Sequence, residues 1–206
     1  MIRRRLLIPC LLLTAWNVTM AIEEPPYSVL HSYDGFEVRR YAPYLVAETL
    51  VNATAEDAGN QGFRILAAYI FGQNKGARSI AMTAPVAQSP SSIAMTAPVV
   101  QTAAPTAEAP AAFAIQFAMP AGWTLATLPQ PNDPRVTLRE MPARTVAVIR
   151  YSGTWTQSHY QEQLAILQQD LAREGLRWHG EPIWARYDAP WKPWFLRRNE
   201  IWLPLD

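Results

Sequence analysis

The chain has 206 residues, 18 of them Pro and 8 Trp, with a single Cys and a formal net charge of +1. Its 50% hydrophobic content is enough to build the core of one domain, which excludes wholesale disorder. The near-neutral balance lacks the clustered basic surface of a nucleic-acid binder, and one Cys can form neither an internal disulfide nor a cysteine zinc site.

Arg3, Arg4 and Arg5, the apolar run Leu6 to Trp16 and the small-x-small end Thr19-Met20-Ala21 predict a signal peptide over residues 1–21. The expected location is exported, either periplasmic or secreted. The apolar run is too short to span a bilayer, so no integral membrane span is expected after cleavage. Cys10 and the three arginines would leave with the signal, giving a cysteine-free chain with 15 basic and 17 acidic residues.

Next, Tyr27 to Leu30 and Phe36 to Tyr41 flank Asp34-Gly35 and predict a hairpin. Tyr44 to Val51 reads as a strand. Thr54 and Asp57 mark a helix start, with Phe63, Leu66, Ala67 and Ile70 as its apolar stripe up to Gly72. The octapeptide SIAMTAPV then occurs twice, at 79–86 and 92–99, each copy suiting a short strand stopped by its Pro. Residues 101–112, rich in Ala and Pro, read as a connector. Strands are expected again at Ala114 to Met119, Arg135 to Arg139 and Thr145 to Tyr151. A second helix is expected from Thr156 to Glu174, and last strands near Pro182 to Tyr187 and Asn199 to Leu205.

The halves 27–100 and 113–206 overlay at an offset of 100 residues: Val38-Arg39 falls on Leu138-Arg139, Val46-Ala47 on Val146-Ala147, and the helices coincide. The expected fold is therefore α+β. Two pseudo-symmetric ββαββ halves form a distorted antiparallel β-barrel or sheet with two helices, as a single domain over 22–206. A monomer is expected.

The segments FEVRRYAPYLVAETLV (36–51), YIFGQNKGARSIAMTAPV (69–86), LPQPNDPRVTLREMPARTVAVIRYSG (128–153) and YDAPWKPWFLRRNEIWL (187–203) resemble the SOUL haem-binding proteins. The resemblance implies the barrel just described and non-covalent affinity for haem or another tetrapyrrole. It also points to the first helix, hence to Phe63, Leu66, Ala67 and Ile70, as the apolar wall of the site.

A tetrapyrrole is a flat apolar plate with two carboxylates, so Arg197 or Arg198 could hold its propionates, with at most one of these adjacent residues serving a given pocket. Trp191, Trp194 and Phe195 could form a rim or a plug. His31, His159, His179, Met82 and Met95 are the available side chains for axial ligation, and each also has a structural reading, as a surface or cap histidine or a core methionine. No Cys-x-x-Cys-His exists for covalent attachment.

The sequence contains no Gly-x-Ser-x-Gly, no His-Glu-x-x-His and no phosphate loop, so no enzyme is expected. The same duplicated architecture resembles gyrase-inhibitor-like effector modules, an alternative in which Glu48 would meet a lipophilic cation. A protein-interaction role for the Trp-rich C-terminal surface is a third reading.

Overall fold

The computed structural model describes residues 22–91, 111–189 and 191–206. The strands are β1 (Tyr27–Ser32), β2 (Phe36–Tyr41), β3 (Tyr44–Ala53), β4 (Val86–Pro90), β5 (Ala111–Ala118), β6 (Thr137–Met141), β7 (Arg144–Tyr151), β8 (Ile183–Arg186) and β9 (Asn199–Pro204). Helix α1 spans Ala55–Ile70, α2 spans Gln157–Arg173, and a 3-10 turn covers Trp194–Leu196.

The strands form one antiparallel sheet in the order β1-β2-β7-β9-β8-β4-β5-β3-β6. From β2 to β6 that order is palindromic: β2 answers β6, β7 answers β3, β9 answers β5, and β8 pairs with β4 at the centre. Phe36–Tyr41 pairs with Ile149–Arg144 in the same register as Tyr44–Glu48 pairs with Met141–Thr137. Each half thus lends a strand to the other. The result is the expected α+β fold, a curled half-barrel with two helices.

Both helices lie on one face of the sheet. In β3 and β5, Ala47, Val51, Phe113, Ile115 and Phe117 face α1; in β7 and β9, Ala147, Ile149, Ile201 and Leu203 face α2. Strand alternation sends the intervening Val146, Val148 and Trp202 to the opposite face, where they pack with Tyr41, Ile183 and Tyr187.

Helix α1 starts where Thr54 Oγ1 accepts from the Asp57 N–H, with Glu56 and Asp57 in its positive first turn. It approaches the sheet closely because Gly62 has no side chain: a Cβ there would stand 2.3 Å from Ile115 Cγ1.

Two expectations are corrected. The first SIAMTAPV copy is not a strand up to its Pro, since β4 begins only at Val86. The segment's hydrogen bonds go to three separate elements, Ile80 N–H to Ile70 O, Thr83 Oγ1 to Ala118 O and Ala84 N–H to Glu23 O, so no single neighbour offers it a ladder. Ala111 and Ala112, expected in the connector, belong to β5 and pair with Ala53 and Asn52. The second copy and residues 101–110 lie outside the described residues, as do 1–21.

Candidate functional site

The strongest candidate is a cleft of about 760 Å³ where β7 ends, β8 ends and β9 begins. Its walls include Tyr151, Tyr187, Phe195 and Leu196, and its cations are Arg150, Lys192, Arg197 and Arg198.

The turn after β7 positions the first wall. Gly153 has φ +130°, and a Cβ there would stand 2.5 Å from the His159 ring, so only glycine lets the chain turn beneath that side chain. His159 in turn stacks on Tyr151, with ring centroids 5.3 Å apart. The Gly153 N–H donates to Trp194 O and the Asn199 side chain donates to Gly153 O, which ties this turn to the 3-10 turn and to β9. Trp155 Nε1 completes the tie by donating to Asn199 Oδ1 at 2.8 Å.

The second wall hangs on Asp188. Its Oδ1 accepts from Lys192 Nζ at 2.7 Å and its Oδ2 from the Arg198 N–H at 2.5 Å. Burial pushes the Asp188 carboxyl up, but these donors outweigh it and hold the group below its ordinary value. Arg197 lies over the Trp155 ring, 4.4 Å from its centroid, and its Nε donates to Lys192 O. Arg198 turns the other way, over Tyr187 and onto Glu24 and Glu200. The two adjacent arginines thus differ in their partners, yet both line this one cleft, contrary to the expectation that at most one would. Arg150 is exposed and has no acceptor among the described residues.

Beneath the cleft sits Glu200, whose side chain is 0% exposed. Its Oε2 accepts from Arg39 Nη1 (3.1 Å), Tyr187 OH (2.7 Å) and Trp202 Nε1 (2.8 Å), and its Oε1 accepts from Arg198 Nε and Nη2 (3.0 and 2.8 Å). Burial raises the carboxyl, yet Arg39, Tyr187, Arg198 and Trp202 together bring it below its ordinary value. The same carboxylate and burial push the Tyr187 hydroxyl far up, so it stays a donor. This is a satisfied structural network that ties β9 to Arg39 of β2 and to Tyr187.

The structure separates the sequence-derived site residues. Leu66, Ala67 and Ile70 are buried in the core under α1, and Phe63 packs there edge-on to Phe117. The outward side of α1 carries Glu56, Asp57, Asn60, Gln61 and Arg64 instead, all exposed. Arg197 lies in the C-terminal cleft, which no α1 residue lines.

His31 is exposed beside Tyr33, His179 pairs with Asp206 at 3.0 Å, and Met82 is exposed; Met95 lies outside the described residues. Among the described residues no group of three or more His, Cys, Asp or Glu could hold a metal ion, and no helix is long and apolar enough to cross a membrane. Glu48 is engaged by Arg139 and by Gln116 Nε2.

Phe195 lines the cleft as the rim residue the sequence allowed, whereas Tyr151 and Lys192 join it without a sequence signal because β7, the Pro-rich loop and β9 meet only in the fold. The signal that existed was compositional: Trp191, Trp194, Phe195 and Leu196 are large, adjacent and, in the structure, exposed.

A second cleft of about 550 Å³ lies beside the loop after β5, lined by Tyr44, Met119, Trp123 and Leu125 with Glu23, Glu24 and Glu140. Among the described residues its lining has no Lys, Arg or His.

A family model described as SOUL heme-binding protein matches residues 22–204. Among solved structures, the EcmrR C-terminal domain is similar, with TM-score 0.61 and 12% identity over 87% of this chain and 98% of that one. A hydrolase from Listeria innocua is similar with TM-score 0.56 and 13% identity over 83% and 91%. At these identities the likeness speaks for the fold alone. No curated relative matches the chain by sequence.

Proposed function

Because this chain belongs to the SOUL heme-binding protein family, we propose that it binds haem or a related tetrapyrrole non-covalently in the C-terminal cleft, as a binder and not an enzyme. The observation that carries this reading is the lining: Tyr151, Phe195 and Leu196 offer apolar surface to a flat plate, and Arg150, Lys192 and Arg197 are the cations in the same cleft that its carboxylates would meet. The volume, about 760 Å³, is in the range of roughly 300–1,000 Å³ usual for small-molecule sites.

The fit is to the macrocycle and its propionates. Among the described residues no His, Met or Cys lines the cleft, and burial has pushed the Tyr151 hydroxyl up to about 12, so it stays protonated at neutral pH. Bound haem would bring redox and ligand-binding chemistry at its iron, and what this chain's residues supply is a wall, a cationic edge and partial exclusion of water. Residues 1–21, with their charged, apolar and small-residue regions, support a periplasmic or secreted setting.

The test is a pair of titrations, with hemin and with metal-free protoporphyrin IX. Saturable binding of both with similar affinity is expected, weakened together by Arg197→Ala and Phe195→Asp. Absence of saturation with either compound overturns the reading. Binding of hemin alone would assign recognition to the iron and to a side chain outside this cleft.

The effector alternative has a weaker footing at the residue expected to carry it, because Glu48 is already neutralised by Arg139. An apolar cation would find the acidic second cleft more suitable.

A further inference from the structure

The duplicated segment is longer than the octapeptide. Residues 79–91 read SIAMTAPVAQSPS and residues 92–104 read SIAMTAPVVQTAA, so the repeat runs without a gap through the whole of β4. We infer that β4 is a strand with two registers: either copy can supply it, and the other is left over.

A few side chains and backbone bonds hold the first copy in place. Ile80 is 2% exposed and its N–H donates to Ile70 O at 2.8 Å. Thr83 Oγ1 donates to Ala118 O, and Ala84 is buried with its N–H on Glu23 O. Val86 pairs with Phe117 on one side and Arg186 on the other. Gln88, 3% exposed, donates from Nε2 to Ala55 O at 2.7 Å, under the start of α1. Each of these has an identical counterpart at 93, 96, 97, 99 and 101. The last bond of the segment, from the Ser91 N–H to Ala112 O, uses only backbone, which Ala104 also has.

The positions that differ oppose one another. Val100 and Thr102, in place of Ala87 and Ser89, favour a strand, and Ala103 restores the N–H that Pro90 lacks. Against this, Ala87 is 6% exposed in a packed cluster, and two more methyl groups must be fitted there by Val100.

Chain connectivity permits both states. In the first register residues 92–110 join β4 to β5; in the second, 79–91 lengthen the link from α1 and only 105–110 remain before β5. Closure entropy varies only with the logarithm of loop length, so transferring residues from one link to the other changes little. The exchange would reach both clefts, because Thr83 lines the acidic one and Ala84 the cationic one.

Redundancy is the test. Asp placed at a position 2% exposed should unfold a chain with one register. With two registers, Ile80→Asp alone should shift the melting temperature by less than ~5 °C, Ile93→Asp alone should be silent, and the double variant should lose more than ~10 °C or fail to fold. A pair of deletions, one lacking 79–91 and one lacking 92–104, should give the same circular dichroism and similar melting temperatures. If Ile80→Asp is as damaging as the double variant, or only the chain lacking 92–104 folds, β4 has one register and the inference is wrong.

Discussion

The cleft at the C-terminal strands and the cleft beside the loop after β5 meet at Glu24, which lines both, yet they present opposite charge. One gathers Arg150, Lys192 and Arg197 around Tyr151 and Phe195; the other sets Glu23 and Glu140 beside Tyr44 and Trp123. Each joins aromatic surface to charge, so shape alone would not tell their ligands apart. Sign does: the first suits an anionic plate, the second a cation. The cationic cleft is built from strand ends and a Pro-bracketed loop, while the apolar stripe of α1 packs into the core.

The sharpest way to break the distinction is beneath the cationic cleft. Glu200→Ala should cost about 3–5 kcal/mol in chemical denaturation, because it leaves Arg39 and Arg198 without their buried acceptor. Next in size, Arg150→Glu should weaken tetrapyrrole binding by on the order of 10-fold or more, as expected for a lost charge-assisted contact. Trp123→Ala, in the acidic cleft, should leave the same titration unchanged.

Acid should act on the cationic cleft as well. Asp188 and Glu200 have folded-state values below their ordinary 3.8 and 4.5. Their stabilisation is therefore complete above those values and is lost as pH falls below them, through the lower folded values. Melting temperature followed from pH 6 downward should hold steady and then drop below about pH 4, and Asp188→Asn should flatten part of that drop. The smallest effect is expected at Trp191, which is 86% exposed: Trp191→Ala should change stability by less than ~0.5 kcal/mol despite the size of the side chain.

Much of the fold was legible in order and period. Asp34-Gly35, the Thr54 cap and the Phe63, Leu66, Ala67, Ile70 stripe placed the hairpin and α1, because turns, caps and amphipathic spacing are local features. The first SIAMTAPV copy misled for the same reason: its apolar residues look like a strand, while their partners are Ile70, Ala118 and Glu23. The site was legible only in part. Alternation predicted that at most one of Arg197 and Arg198 would serve a given pocket, but both precede β9 and both line the cationic cleft, with different partners. Nothing local announced that Arg39, 161 positions from Glu200, would share its carboxylate, or that the α1 stripe would face the sheet.

By itself, then, the sequence determined the element order, the duplication, the family and the presence of a large aromatic surplus near the C-terminus, because each is written in spacing or composition. Only the tertiary structure decided which apolar surface went into the core and which stayed exposed. That choice depends on strand register: the pairing of β7, β8 and β9 sets Glu200 and Trp202 on the side away from the helices, and the ends of the same strands leave Tyr151, Arg197 and Phe195 at an open rim.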